Sequence, residues 1–131
     1  MKRISYLLIC MIAMILSSCN DFTNEDLCGA WYCIGDTPDK ERTGFTMISF
    51  NENYEVSMYF PDRTFFGKYE IHDKDIFCGF KNATERCRLE VITFDKDYTN
   101  ESLHNAHGRM YLKMYLDDVL FMDFDCVKQF D

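Results

Sequence analysis

Positive charge is scarce in this chain. Fourteen Lys and Arg stand against 22 Asp and Glu, a net charge of −8. A nucleic-acid binder carries a basic footprint to neutralise phosphates, so that class is excluded. The same deficit removes electrostatic adsorption to an anionic bilayer as a mode of attachment. Helical patterning is also missing. Beyond residue 18 no stretch keeps apolar residues at i, i+3, i+4 and i+7 for three turns, which excludes a helical bundle and an α/β fold. The longest apolar run, Ile4 to Leu16, falls short of the roughly 20 residues needed to span a bilayer as a helix. Chemistry-bearing motifs are absent too. There is no Cys-x-x-Cys, His-Glu-x-x-His, Gly-x-Ser-x-Gly or glycine-rich phosphate loop. Zinc ribbons, thioredoxin-type sites, zinc proteases, serine hydrolases and nucleotide-binding loops therefore have no support.

What the N-terminus does contain is ordered and specific. Lys2 and Arg3 precede the apolar run, and Leu16-Ser17-Ser18-Cys19 closes it. A basic region, an apolar core and small residues before a cleavage point are the parts of an export signal. The closing tetrapeptide resembles the lipobox of bacterial lipoproteins. That resemblance implies cleavage after Ser18, acylation of Cys19, and a protein held to the cell envelope, most simply the outer membrane, by its lipid. Each buried methylene adds about 0.8 kcal/mol, so several acyl chains on one cysteine make a stable anchor. Residues 1–18 are then a lipoprotein signal peptide. Residues 19–26, polar and acidic, read as a flexible leader, and residues 27–131 as one domain. Taking Lys2 and Arg3 from the 14 basic side chains leaves 12 against 22 acidic, a net charge of about −10 spread along the mature chain.

The domain reads as strands. Leu27 to Ile34 is aromatic and β-branched and ends at Gly35-Asp36-Thr37-Pro38-Asp39. Gly44 to Phe50, Tyr54 to Phe60, Phe65 to His72 and Ile76 to Phe80 follow, separated by short turns. Cys87, Leu89, Val91 and Thr93 alternate with polar residues. A long polar interruption from Asp95 to Gly108 precedes Met110, Leu112, Met114 and Leu116, and Asp117-Asp118 turns into Leu120, Met122, Phe124 and Cys126. Eight short strands joined almost throughout by hairpin-length turns predict an all-β fold, an eight-stranded antiparallel up-and-down barrel. Such a barrel is just wide enough for its own side chains or one small ligand, and a side-chain-filled interior is the expectation here.

Two stretches resemble lipocalins and lipocalin-like bacterial lipoproteins. Gly29-Ala30-Trp31 matches the opening Gly-x-Trp, and Phe66-Gly67-Lys68-Tyr69-Glu70-Ile71 followed by Asp75-Ile76 matches a middle hairpin. The resemblance implies a lipocalin-like barrel in which Gly29 admits the chain to the first strand and Trp31 plugs the closed end. It also implies action by binding rather than catalysis. Lipocalins end with an arginine and a helix. Here the nearest base is Lys128, which suits a compact, helix-free version.

Seven cysteines include Cys10 in the signal and Cys19. The other five allow at most two bridges in an oxidising compartment. Cys78 and Cys87 flank the turn at Lys81–Glu85 and are expected to pair. Cys126 should meet the first strand, at Cys28 in preference to Cys33, because first and last strands of a closed barrel are antiparallel neighbours. His104 and His107, with Glu101 near and His72 distant, form a thin metal candidate, and exposed loop histidines are the plainer reading. Asp123 and Asp125 share a strand face and could pair for acid–base work, yet a solvated strand face is commoner. No cofactor, metal site or catalytic group is therefore assigned. The expected occupant is a small apolar or amphipathic ligand, held at an open end built from loops around Pro38, Pro61 and Asp95–Gly108. A protein partner is the alternative, as for an inhibitor of cysteine proteases or an accessory subunit of an envelope complex.

Overall fold

The structure, a computed structural model, describes residues 22–37, 42–100 and 106–129. Cys19, Pro38, Glu101 and His104 lie outside them. A four-residue helix, α1 (Asn24–Leu27), leads into β1 (Gly29–Asp36), β2 (Arg42–Phe50), β3 (Glu55–Tyr59), β4 (Thr64–His72), β5 (Asp75–Phe80), β6 (Cys87–Asn100), β7 (Ala106–Leu116) and β8 (Val119–Gln129). Each strand pairs antiparallel with the next and β8 returns to β1, so the sheet is a closed eight-stranded barrel. Among the described residues every strand has a neighbour on both sides, so none stands as an open sheet edge.

The period-2 pattern is what drives the closure. Trp31, Cys33, Ile48, Phe50, Val56, Met58, Tyr69, Ile76, Leu89, Met110, Leu112, Met122 and Phe124 point inward and are buried together. Lys68, Glu70, Lys113 and Asp125 alternate with them outward. Turn chemistry sets the hairpins. Asp117 and Asp118 both take positive φ, +50° and +65°, as a two-residue hairpin of this type requires. Asn51 Oδ1 accepts from the backbone amides of Asn53 and Glu55, both at 3.0 Å, and holds the β2–β3 turn.

Three expectations need correction. The segment read as a flexible leader carries α1 at Asn24–Leu27, and the first strand starts at Gly29, not Leu27. Thr23 caps α1 with a full capping box: its hydroxyl accepts from Asp26 N at 3.1 Å, and its own amide donates to Asp26 Oδ2 at 3.0 Å. Second, the Asp95–Gly108 interruption is mostly strand. β6 runs on to Asn100 and β7 begins at Ala106, with an irregularity between Asp95 and Thr99. Third, Thr93 does not face inward. A bulge between Val91 and Thr93 sets two β6 residues against one of β7, so Phe94 turns to the core instead.

Candidate ligand pocket at the open end

Connections alternate between the two barrel ends. The segment before β1 and the β2–β3, β4–β5 and β6–β7 connections share one end. The β1–β2, β3–β4, β5–β6 and β7–β8 connections share the other. The connections that carry Pro38 and Pro61 in sequence therefore belong to the same end, but Asp95–Gly108 belongs to the opposite one, and the three cannot form one mouth.

The first end is shut. Leu27 and Trp31 are completely buried there, and Trp31 Nε1 donates to the Leu27 carbonyl at 2.8 Å. Phe22 stacks on Phe94 at 5.2 Å, and Phe94 meets the Trp31 ring edge-on at 5.6 Å. Lys128 Nζ donates to the carbonyls of Asp26 at 2.7 Å and Cys28 at 3.0 Å, which ties the last strand across the cap. Burial lowers the Lys128 ammonium from its ordinary value, and the neighbouring Asp26 and Cys28 act against that. Beneath α1 the Tyr69 hydroxyl meets Asn24 Oδ1 and reaches the Asn51 carbonyl at 2.9 Å. Burial first, and then Cys28, hold this phenol well above the usual tyrosine range. Gly29, at φ +131°, occupies backbone space that side chains rarely enter.

The second end carries a pocket of about 720 Å³. Phe60, Phe65, Phe80, Met114, Leu116 and Phe121 supply its apolar wall, and Arg63 and Lys81 stand among its polar lining. Phe65 meets Phe60 edge-on at 5.8 Å and Phe80 at 5.6 Å, while Phe60 leans toward Phe124 at 6.5 Å. Asn82 braces the rim, its Nδ2 donating to the Thr64 carbonyl at 2.7 Å. Further in, the fully buried Thr46 stands beside Cys33, and among the described residues its Oγ1 has no hydrogen-bond partner. The volume lies within the range of small-molecule sites, and apolar walls with a few polar groups are their usual composition. Of this mouth, sequence reading named the Pro38 connection, which lies outside the described residues, and the Pro61 turn. Phe65, Phe80 and Phe121 read there as ordinary strand residues, and they line one pocket because β4, β5 and β8 bring them to the same barrel end.

The cysteines pair differently from expectation. Cys126 is bonded to Cys33, not Cys28. The two are direct partners across β1 and β8 with Cα atoms 4.1 Å apart, the close spacing of a non-hydrogen-bonded pair. Cys78 does face Cys87, but both are free thiols, as is Cys28. Val91 N donates to Lys74 O at 2.8 Å, one step beyond the Asp75–Glu90 pair. Alternation from there makes Cys78–Cys87 a hydrogen-bonded pair, where side chains stand farther apart than at a non-hydrogen-bonded position and the Cβ spacing of about 3.8 Å that a bridge needs is harder to reach. A hydrogen bond with Cys87, then burial, push the Cys78 thiol up, which leaves it a poor nucleophile.

The other candidates separate. His72 is exposed on β4 beside Glu70 at 3.2 Å, and His107 lies on β7 opposite Thr99. Among the described residues no three His, Cys, Asp or Glu side chains come together as a metal site. Asp125 is engaged by Arg109 through two bonds, 3.1 and 2.7 Å, and Asp123 by the Tyr111 hydroxyl. The two carboxylates thus serve separate cross-strand contacts on the outer face. No family model matches the chain, and no curated protein or solved structure matches it either.

Proposed function

We propose that this chain is an envelope lipoprotein, acylated at Cys19 and held most simply in the outer membrane, whose lipocalin-like barrel works by binding rather than catalysis. The observation that carries the binding reading is the inequality of the two barrel ends. One is sealed by Leu27, Trp31 and Phe22, and the other opens a pocket of about 720 Å³ walled by phenylalanines. The ligand class is a small apolar or amphipathic molecule, its polar group toward Arg63, Lys81 and Asn82 at the rim. A second reading has one observation in its favour. Val119, 69% exposed, and Phe121, 44% exposed, sit at this same mouth and suit a protein partner.

Native mass spectrometry of the mature protein separates these. A co-purifying small mass that disappears in Phe121→Glu supports ligand binding, and a co-purifying protein supports the partner. The absence of both a bound mass and any displacement of the apolar dye anilinonaphthalene sulfonate by long-chain amphiphiles would refute the pocket as a ligand site.

A further inference from the structure

The sealed end is tied to the segment that leads back to Cys19, and this connection has a geometric consequence. Only Asn20 and Asp21 separate Cys19 from Phe22. Phe22 is no loose linker residue. It is 6% exposed, stacked on Phe94, and continuous with α1, whose capping box, buried Leu27 and carbonyls bonded by Trp31 and Lys128 fasten it to the barrel. Three residues span at most about 10 Å when fully extended. A barrel whose eleven-residue strands rise about 3.3 Å per residue is far longer than that, even when the strands are tilted.

We infer that the sealed end is a membrane-apposed face: the barrel stands on the bilayer with the β2–β3 and β4–β5 turns toward the lipid headgroups and the Phe60–Phe121 pocket directed away from them. The inference rests on acylation of Cys19. Its occupant is a lipid surface, and the argument is the short reach from Cys19 to a fixed Phe22. Charge does not supply the orientation. Among the described residues Glu25, Asp26, Glu52, Asp73 and Asp97 lie at this end with Lys74, Lys96 and the engaged Lys128, so the face has no basic surplus to draw it to anionic lipid. The orientation is therefore a property of the tether and is the same on zwitterionic bilayers. It also places the pocket mouth in open solution, where a ligand or a partner arrives without crossing the headgroup layer.

Trp31 is completely buried, so a tryptophan added at the surface reports its own surroundings. Glu52→Trp marks the sealed end and Val119→Trp the pocket end, and both positions are exposed. The full chain is expressed with lipoprotein maturation, its acylation is read by intact mass, and it is reconstituted in phosphatidylcholine vesicles doped with headgroup spin-labelled lipid. Quenching in the Glu52→Trp variant several-fold stronger than in the Val119→Trp variant is expected, with the difference abolished by a spacer of ten Gly and Ser residues inserted between Asp21 and Phe22. Equal quenching in the two variants, in protein of acylated mass, overturns the orientation and leaves the anchor standing. A mature protein without acyl mass overturns both. Retention of the difference with the spacer present shows that a surface contact sets the orientation and overturns the tether argument.

Discussion

Gly67 shows how one side chain, or its lack, decides a local arrangement. A Cβ built on it would lie 1.9 Å from the Gly79 carbonyl oxygen and 2.8 Å from Phe80 Cα, all backbone that cannot yield. At Gly79 the nearest such atom is 4.0 Å away. Gly67→Ala should therefore cost at least about 3 kcal/mol, beyond ordinary overpacking, and Gly79→Ala less than about 1 kcal/mol. Urea unfolding followed by Trp31 emission compares them, and equal midpoints would show that β4 and β5 are not in this close contact. The Gly67-Lys68-Tyr69 stretch and Trp31 both stand out in the sequence, and the structure places both aromatics at the sealed end. The partners that explain Tyr69 were not legible. Asn24 and Asn51 lie 45 and 18 residues away, and nothing local marks either as its acceptor.

At the scale of elements, the strands were the legible part. Alternation in β3, β5 and β7 points inward the same residues that the structure buries, such as Val56, Met58, Ile76, Met110 and Leu112. Three features escaped for physical reasons. A four-residue helix such as α1 is too short to show a period, and its capping box, Thr23-x-x-Asp26, hides in a polar stretch. A bulge such as that at Val91 and Thr93 breaks the alternation on which the reading depends. The hydrogen-bonding phase of a ladder, which separates Cys33–Cys126 from Cys78–Cys87, cannot be counted from residue spacing. Peptide mapping of the non-reduced mature domain should accordingly recover a single bridge, Cys33–Cys126, with Cys28, Cys78 and Cys87 alkylated after unfolding. Recovery of a Cys78–Cys87 peptide would show that the β5–β6 phase is wrong. Cys126→Ala should lower stability by about 2–4 kcal/mol, because the bridge closes a long loop.

For the molecule as a whole, alkaline pH is the sensitive direction. Tyr69 has its phenol raised by burial, Cys28 and lesser neighbours, and Tyr111 is raised by burial and by Asp123. In the unfolded chain a tyrosine ionises near pH 10. The folded state thus holds these protons longer, and the stability they contribute is complete below about pH 10 and lost as pH rises above it. Lys128 works in the opposite sense. Its lowered value means that the folded state sheds that proton early, so the penalty of burying its charge is relieved as pH rises towards 10.5. Two tyrosines and the raised Cys78 thiol against one lysine predict a net fall in unfolding free energy above pH 10. Tyr69→Phe should flatten that fall, as read from urea midpoints between pH 8 and 11. An unchanged slope in the variant would mean that Tyr69 is not the proton-holding group.

The Cys33–Cys126 bond also decides how the barrel answers a pull. It joins residues 93 apart in sequence, on the two strands that close the cylinder. Tension applied between Phe22 and Gln129 runs along the chain to Cys33, crosses the sulfur bond and leaves through Cys126. The whole hoop between them, β2 to β7 and the pocket-bearing mouth, stays off the load path. A tug on the sealed end can peel α1 and the outer ends of two strands, and it then meets a covalent stop. The extensible length is set by the two short tails and not by the 131-residue chain.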